Sequence, residues 1–456
     1  MVDVLPIDTP SLGDRSYLAH DGDVGVVIDP QRDVDRISDL AAGLGIRVTH
    51  VAETHIHNDY VTGGLALAQA AGAHYLVNGA DPVRFTRTPV HDGDRVPISE
   101  ALALRVMTTP GHTFTHVAYV LETEGKVAGV FTGGSLLYGS TGRPDLLGPE
   151  NTPVLARAQY RSAHRLATEL PDGAPVFPTH GFGSFCAATQ ADALSSTIGR
   201  EKQVNPALTR EERSYVAALL AGLDAWPAYY AHMAPANAAG PAAPDLSPPH
   251  RADPAELRRR IEAGEWVVDL RDRVAFAAGF LPGSVSFPLD GSFATYLGWV
   301  LPWGTPVTLL GETPAQVSTA QRELTRIGID RPAAAATGRP ADWAAGQPLD
   351  TVRLAKFGDL AAARQASPVD GGPVVLDVRR QLEWAEEHIA GAVHIPLHEL
   401  PGRLAEVPAG EVWVHCHSGY RALAAASLLA ARGRQVISVD DDFGNAGTAG
   451  LPLVQA

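Results

Sequence analysis

An internal duplication constrains the fold of this chain more than any other feature. Val267-Val268-Asp269-Leu270-Arg271 recurs as Val375-Leu376-Asp377-Val378-Arg379, an offset of 108 residues. At the same offset, Leu281-Pro282-Gly283-Ser284-Val285-Ser286-Phe287-Pro288-Leu289 answers Ile389-Ala390-Gly391-Ala392-Val393-His394-Ile395-Pro396-Leu397. Two copies of one α/β unit are therefore expected. Asp269 and Asp377 close equivalent strands, and each reads as a carboxylate that fixes the loop after it.

The copies differ where chemistry would occur. In the second, Cys416-His417-Ser418-Gly419-Tyr420-Arg421 follows an apolar run, Val412-Trp413-Val414, that reads as a buried strand. It opens an alanine- and leucine-rich helix over residues 420–432. A cysteine there meets unpaired backbone N–H groups at the positive end of a helix dipole, beside Arg421. That setting stabilises a thiolate, and equally a persulfide anion carried on it. A buried, inert thiol is the bland alternative, but the order strand, Cys, Gly, Arg, helix favours the reactive one. Cys416 and Arg421 are the catalytic candidates, with His417, Ser418, Gly419 and Tyr420 as the cradle.

Loop length selects the chemistry. His415-Cys416 resembles the start of the cysteine phosphatase loop, which has five residues between Cys and Arg. Here four intervene, and Ala422 stands at the phosphatase arginine position. A shorter cradle offers fewer N–H groups and suits a single sulfur atom. The loop resembles that of the rhodanese sulfurtransferases, which implies that Cys416 accepts and donates sulfane sulfur and that both copies are rhodanese-like. In the first copy the strand 307–310 leads into Gly311-Glu312-Thr313-Pro314-Ala315-Gln316, with neither cysteine nor arginine. That copy cannot carry sulfur covalently and is expected to pack, position or recognise.

The 456 residues suffice for about three domains. A net charge of −15 argues against nucleic acid and anionic membrane surfaces as partners. No run approaches the roughly 18 apolar residues of a membrane span, and the N-terminus lacks signal-peptide character. Cys186 and Cys416 are the only cysteines, too few for a disulfide framework. A cytoplasmic location is expected, and oligomeric state stays open, a homo-oligomer included. The expected domains are 1–233, a linker at 234–254 rich in Ala, Pro, Asn and Gly, a degenerate repeat at 255–345 and an active repeat at 350–456, with the boundary between repeats near 338–349.

The first domain reads as strands at 24–28, 48–53, 102–108, 117–122 and 127–132, with helices at 64–71 and 154–168. Histidines cluster at strand ends: His55-Ile56-His57-Asn58-Asp59-Tyr60, then His112 and His180. Residues two apart in extended backbone point the same way, so His55 and His57 can converge on one ion. His116 is read as structural.

This pattern resembles the metallo-β-lactamase superfamily, in particular its persulfide dioxygenase and glyoxalase II branch. Thr132-Gly133-Gly134-Ser135-Leu136-Leu137 followed by Gly142-Arg143-Pro144-Asp145-Leu146 is similar to that branch's signature. The resemblance implies an αββα sandwich, followed by two rhodanese-like α/β domains, and a metal site. The family's His-x-His-x-Asp-His ends here in Tyr60, and the family's metal-binding Asp falls at Gly134. Branch members that use iron hold it with two histidines, matching His55 and His112, plus that Asp. The substitute set expected here is His55, His57 and His112 around one ion, zinc or iron. Asp59 and His180 are expected to support the ligands. Arg143 and Asp145 either orient an anionic thiol or pair with each other. Cys186 is either a second sulfur carrier or a small buried hydrophobe.

The resemblance implies sulfane-sulfur metabolism. A low-molecular-weight persulfide would be oxidised at the metal to sulfite and thiol, and Cys416 would exchange sulfur with a thiol or sulfite. Alternatives are a sulfurtransferase with a metal-poor scaffold domain, and a zinc thioester hydrolase of glyoxalase II type, which suffers from the loss at Gly134. A non-enzymatic interaction protein does not fit the intact Cys416 loop.

Overall fold

The computed structural model describes residues 2–189, 193–366 and 372–455. The chain divides into two compact units, one of residues 1–245 with 325–328, the other of residues 246–324 with 329–456.

The first unit is built on two six-stranded sheets. One contains, in spatial order, Asp3–Thr9, Asp14–His20, Val24–Ile28, Arg47–Ala52, His74–Asn78 and Thr88–Val90. The other runs Ser196–Thr197, Pro175–Pro178, Lys126–Gly133, Val117–Thr123, Leu102–Thr108 and Arg95–Pro97. Period-two alternation explains why both faces are covered. Val26 and Ile28 share a core with Val117, Tyr119 and Leu121 of the opposite sheet. Val27, between them, packs under Ile37 and Leu67 of the helices Asp35–Leu44 and Gly64–Ala71. On the far side Ala118, Val120 and Val130 pack with Ala156 and Leu166 of the helix Thr152–Glu169. Helices outside two facing sheets make the αββα sandwich expected from the sequence.

The second unit holds two parallel sheets with the same strand logic. The first has the order Val285–Ser286, Trp266–Asp269, Val307–Gly311, Ala334–Thr337. The second has Arg353–Ala355, Val436–Val439, Val412–His415, Val374–Asp377, Val393–His394. Val268 pairs with Val285 and Leu376 with Val393, so the offset seen in the sequence is also an offset in register. In both sheets the last strand residue clasps the arginine two positions on. Arg271 Nη2 donates to Asp269 Oδ2 and Arg379 Nη2 to Asp377 Oδ2, each at 2.6 Å. Both aspartates serve the strand-end loop.

Two expected irregular stretches contain helices. Residues 234–239 belong to the helix Tyr230–Ala239, with Pro235 inside it, so irregular backbone begins only at Gly240. Within 338–349, the helix Pro340–Ala344 buries Trp343 in the core beside Leu257 and Val267. Composition suggested a linker in the first place and a boundary in the second, where the buried Trp343 folds the stretch onto its neighbours. No helix among the described residues is long and apolar enough to cross a membrane.

Candidate functional site

Two sites emerge, one in each unit. In the first unit, strand ends deliver the histidines. His55 and His57 lie just beyond Arg47–Ala52, His112 beyond Leu102–Thr108, and His180 beyond Pro175–Pro178. All four are buried, as is Asp59.

Hydrogen bonding settles which ring nitrogen carries a lone pair. His112 Nδ1 lies 2.8 Å from the Arg143 carbonyl, which can only accept, so Nδ1 carries the proton. His180 Nδ1 likewise donates to Asp14 Oδ1 at 2.9 Å. His55 Nδ1 is 2.9 Å from Thr54 Oγ1, whose own hydrogen goes to Asp29 Oδ2 at 2.7 Å, so Nδ1 again donates. With Nδ1 committed outward in all three, Nε2 is the atom each ring can offer an ion, and His112 Nε2 has no hydrogen-bond partner. The ligand atoms of His55, His112 and His180 lie within 4.8 Å of one another, with His55 and His180 Nε2 3.4 Å apart. Inward lone pairs held by outer hydrogen bonds are what a divalent ion requires of imidazoles. The residues fit a metal.

The geometry places the expected histidines in more than one group. His57 sits close to His55, with ring centroids 4.0 Å apart. Its Nε2, however, faces Asp29 Oδ1 and Glu53 Oε2, each at 3.2 Å, and the Tyr60 hydroxyl at 3.0 Å. His57 groups with Asp59 and His180, and also with Asp29 and Glu53. His180, expected as support, lies beside His55 and His112 in one group and beside His57 and Asp59 in another. Tyr60 stacks on the His57 ring with centroids 4.3 Å apart. At Gly134 a Cβ would lie 2.5 Å from His112 Cδ2, so the imidazole occupies the volume that an aspartate would need. The Gly134 N–H donates to His116 Nε2 at 2.9 Å, in keeping with a structural His116.

Buried carboxylates set the charge of the cluster. Burial pulls His57 down, but Asp29 and Glu53 outweigh it and raise it to about 9. Burial likewise opposes, and Asp59 and Asp14 overcome it, at His180, raised to about 10. For His112, burial and His180 push the pKa down to about 3. An ion bound by His180 Nε2 would therefore displace a proton held there in its absence.

Arg143 and Asp145 pair with each other, through Nε–Oδ1 and Nη2–Oδ2 contacts of 2.7 Å, and Arg143 Nη2 also donates to the Asp224 carbonyl at 2.6 Å. Buried in this way, Arg143 serves the site through the carbonyl that orients His112. Burial and the neighbouring Asp59 push the Cys186 thiol well up, which favours the inert reading over a second sulfur carrier. Sequence reasoning missed Asp14, Asp29, Glu53 and Asn237. Asn237, inside the stretch read as linker, donates to the carbonyls of His57 and Tyr60 at 2.9 and 2.8 Å and accepts from the Thr62 N–H at 2.9 Å. Its only sequence signal is a polar residue in an alanine-rich run.

In the second unit Cys416 lies between Val412–His415 and the helix Tyr420–Ala430, as expected. The Gly419 N–H donates to Cys416 Sγ at 3.1 Å. Gly419 has φ +102, and a Cβ there would come within 2.3 Å of Asp440 Oδ1, so glycine is required on both counts. Of the other cradle residues, His417 accepts the Phe443 N–H through its carbonyl at 2.8 Å, Tyr420 donates to the Pro288 carbonyl at 3.4 Å, and Ser418 is exposed. Arg421 is not a free cation: its terminal nitrogens reach Glu383 at 2.6 and 2.7 Å. Against its burial, that arginine pulls the Glu383 carboxyl down to about 2. A cleft of about 740 Å³ opens here, lined among others by Arg379, Arg380, Glu383, His417 and Arg421.

Comparison with known proteins finds a matching family, similar sequences and a similar structure. Residues 359–445 match the family described as Rhodanese-like domain. The mitochondrial persulfide dioxygenase ETHE1 of Homo sapiens is 28% identical over 207 residues, 45% of this chain and 72% of that protein. A hydroxyacylglutathione hydrolase of Anaeromyxobacter dehalogenans (strain 2CP-C) is 33% identical over 224 residues, 45% of this chain and 85% of that protein. The crystal structure of a metallo-beta-lactamase from Staphylococcus aureus subsp. aureus COL superposes with a TM-score of 0.66 at 28% identity, covering 74% of this chain and 99% of that one.

Proposed function

We propose a function from one premise: the chain belongs to the metallo-β-lactamase-fold family of hydroxyacylglutathione hydrolases and persulfide dioxygenases. It also carries a C-terminal rhodanese-like domain. On that premise it is an enzyme of sulfane-sulfur metabolism, in which Cys416 carries sulfur and the histidine cluster oxidises a low-molecular-weight persulfide. The cysteine-less repeat at 255–345 is a degenerate rhodanese-like domain that serves the active one.

The observation that carries this reading is the Gly419 N–H on Cys416 Sγ at the start of an eleven-residue helix. A donor at that point lowers the energy of an anion on sulfur, whether thiolate or persulfide. The thiolate attacks the sulfane sulfur of thiosulfate or of a persulfide, forming Cys–S–S⁻ and releasing sulfite or the donor thiolate. An acceptor thiolate, sulfite or cyanide then attacks the outer sulfur, and the Cys416 thiolate leaves.

In the first unit His55, His112 and His180 would hold one ion, with His57 and Asp59 beside it. Such an ion supplies Lewis acidity and, if it is iron, one-electron chemistry toward dioxygen. Asp14, Thr54 and the Arg143 carbonyl keep the three Nε2 lone pairs turned inward. The net oxidation converts a persulfide, dioxygen and water to a thiol, sulfite and two protons.

A second reading, thioester hydrolysis, is favoured by the 33% identity to a hydroxyacylglutathione hydrolase and by three imidazoles, which suit zinc. Metal analysis of the purified full-length protein, combined with oxygen uptake on glutathione persulfide, separates the two. Iron with uptake supports persulfide oxidation. Zinc with thioester hydrolysis and no uptake transfers the first unit to the hydrolase reading. Absence of both leaves sulfur transfer at Cys416 as the activity, provided that thiosulfate adds one sulfur to Cys416 by mass spectrometry.

A further inference from the structure

The cysteine-less repeat reaches the Cys416 loop at several points. Tyr296 lies with its ring centroid 5.4 Å from that of Tyr420, and the Pro288 carbonyl accepts from the Tyr420 hydroxyl. A third contact bears on the sulfur. Arg273 Nε is 2.7 Å from Asp440 Oδ1. That oxygen is the atom a Cβ on Gly419 would meet, so it packs directly on the residue whose N–H holds Cys416 Sγ. We propose that the cysteine-less repeat supplies a positioning residue to the sulfur-transfer site. Arg273 holds Asp440 against Gly419 and cancels its charge.

The physical need is clear from the arrangement. A carboxylate beside Gly419 that is free to turn can compete for the glycine N–H. It also places a negative charge near the atom that must itself become negative. Both effects oppose an anionic sulfur, and both are removed by a cation fixed on the carboxylate. Arg273 is 39% exposed and Asp440 15%, so solvent screens the pair and the effect is moderate. Asp272 and Asp290 also act on Arg273, so the arginine is drawn by three carboxylates, of which Asp440 packs on Gly419.

The inference rests on the reading of Cys416 as the sulfur carrier, and two independent readouts keep them apart. In the full-length protein, Arg273→Ala should lower kcat for thiosulfate-to-cyanide transfer about tenfold while leaving KM for thiosulfate within about twofold. Arg273→Lys should recover most of the loss. Adding Asp440→Asn to Arg273→Ala should also recover most of it, because no charge remains to cancel; a purely structural role would make the two losses add. The second readout is the rate at which iodoacetamide alkylates Cys416 at fixed pH, followed on its peptide. It should fall with Arg273→Ala and return in the double variant. If the wild-type protein transfers no sulfur, the Cys416 reading fails, yet the alkylation rates still decide the role of Arg273. Unchanged alkylation and transfer in Arg273→Ala, or a further loss in the double variant, overturns the proposal. A drop in melting temperature matching the loss of rate, without rescue by Arg273→Lys, overturns it as well.

Discussion

The two repeats of the second unit share a sheet order, a register and an Asp–Arg clasp, and differ in how the helix after the central strand begins. In the cysteine-less repeat the N-terminal donors are consumed locally. The Glu312 N–H goes to Gln316 Oε1 at 2.6 Å and the Gln316 N–H to Thr313 Oγ1 at 3.3 Å. Pro314, at the helix start, has no N–H to offer. In the other repeat Gly419 has no side chain to cap with, and its N–H turns to Cys416 Sγ. One helix terminus closes on itself, and the other stays open to an anion. The difference therefore lies in donor availability as much as in the presence of a thiol.

The largest effect should come from removing the thiol. Cys416→Ser should cut sulfur transfer to cyanide by at least about 100-fold, while any persulfide-dependent oxygen uptake persists. Substantial transfer by this variant would mean that the repeats do not differ in the way their loops suggest.

Arg421→Ala comes next. The Gly419 donor remains, so transfer should fall about tenfold rather than vanish. Part of that loss reflects Glu383, half-buried and left with Arg380 alone as its cation. Adding Glu383→Gln should restore some activity, whereas an undiminished defect would assign Arg421 a direct role on the substrate.

A smaller effect is expected in acid. Glu383 falls from an ordinary 4.5 to about 2 in the fold. A depressed carboxyl contributes stability that is fully present above the unfolded value and lost as pH falls through the folded one. Denaturant midpoints should therefore decline between about pH 4.5 and 2 more steeply than in Glu383→Gln. Parallel curves would show that the pair adds no stability.

The last test concerns a gain that should not appear. Gly311 stands where Cys416 does, and a Cβ there meets nothing closer than 3.2 Å. Gly311→Cys in the Cys416→Ser background should fold and yet transfer no sulfur, because Gln316 and Thr313 hold the donors. Measurable transfer would show that a thiol at the strand end is enough.

Much of this was legible in the sequence. The strands at 24–28 and 102–108 and the helix at 64–71 fall where alternation and helical composition place them. The repeat offset became an offset in strand register, and the Cys416 loop sits between the expected strand and helix. These are local properties, carried by residues adjacent in the chain or by a pattern repeated along it.

Tertiary structure decided the rest. The strand-end histidines name a metal site, but the nitrogen each presents depends on its second partner. For His180 that partner is Asp14, 166 residues away, and the loop of His57 is held by Asn237, 180 residues away. Arg421 was legible as a cation beside Cys416, but its pairing with Glu383, 38 residues earlier, was not. A side chain's chemistry is written in its own letter, whereas its proton, its charge partner and its direction are set by neighbours that only packing brings within about 3 Å.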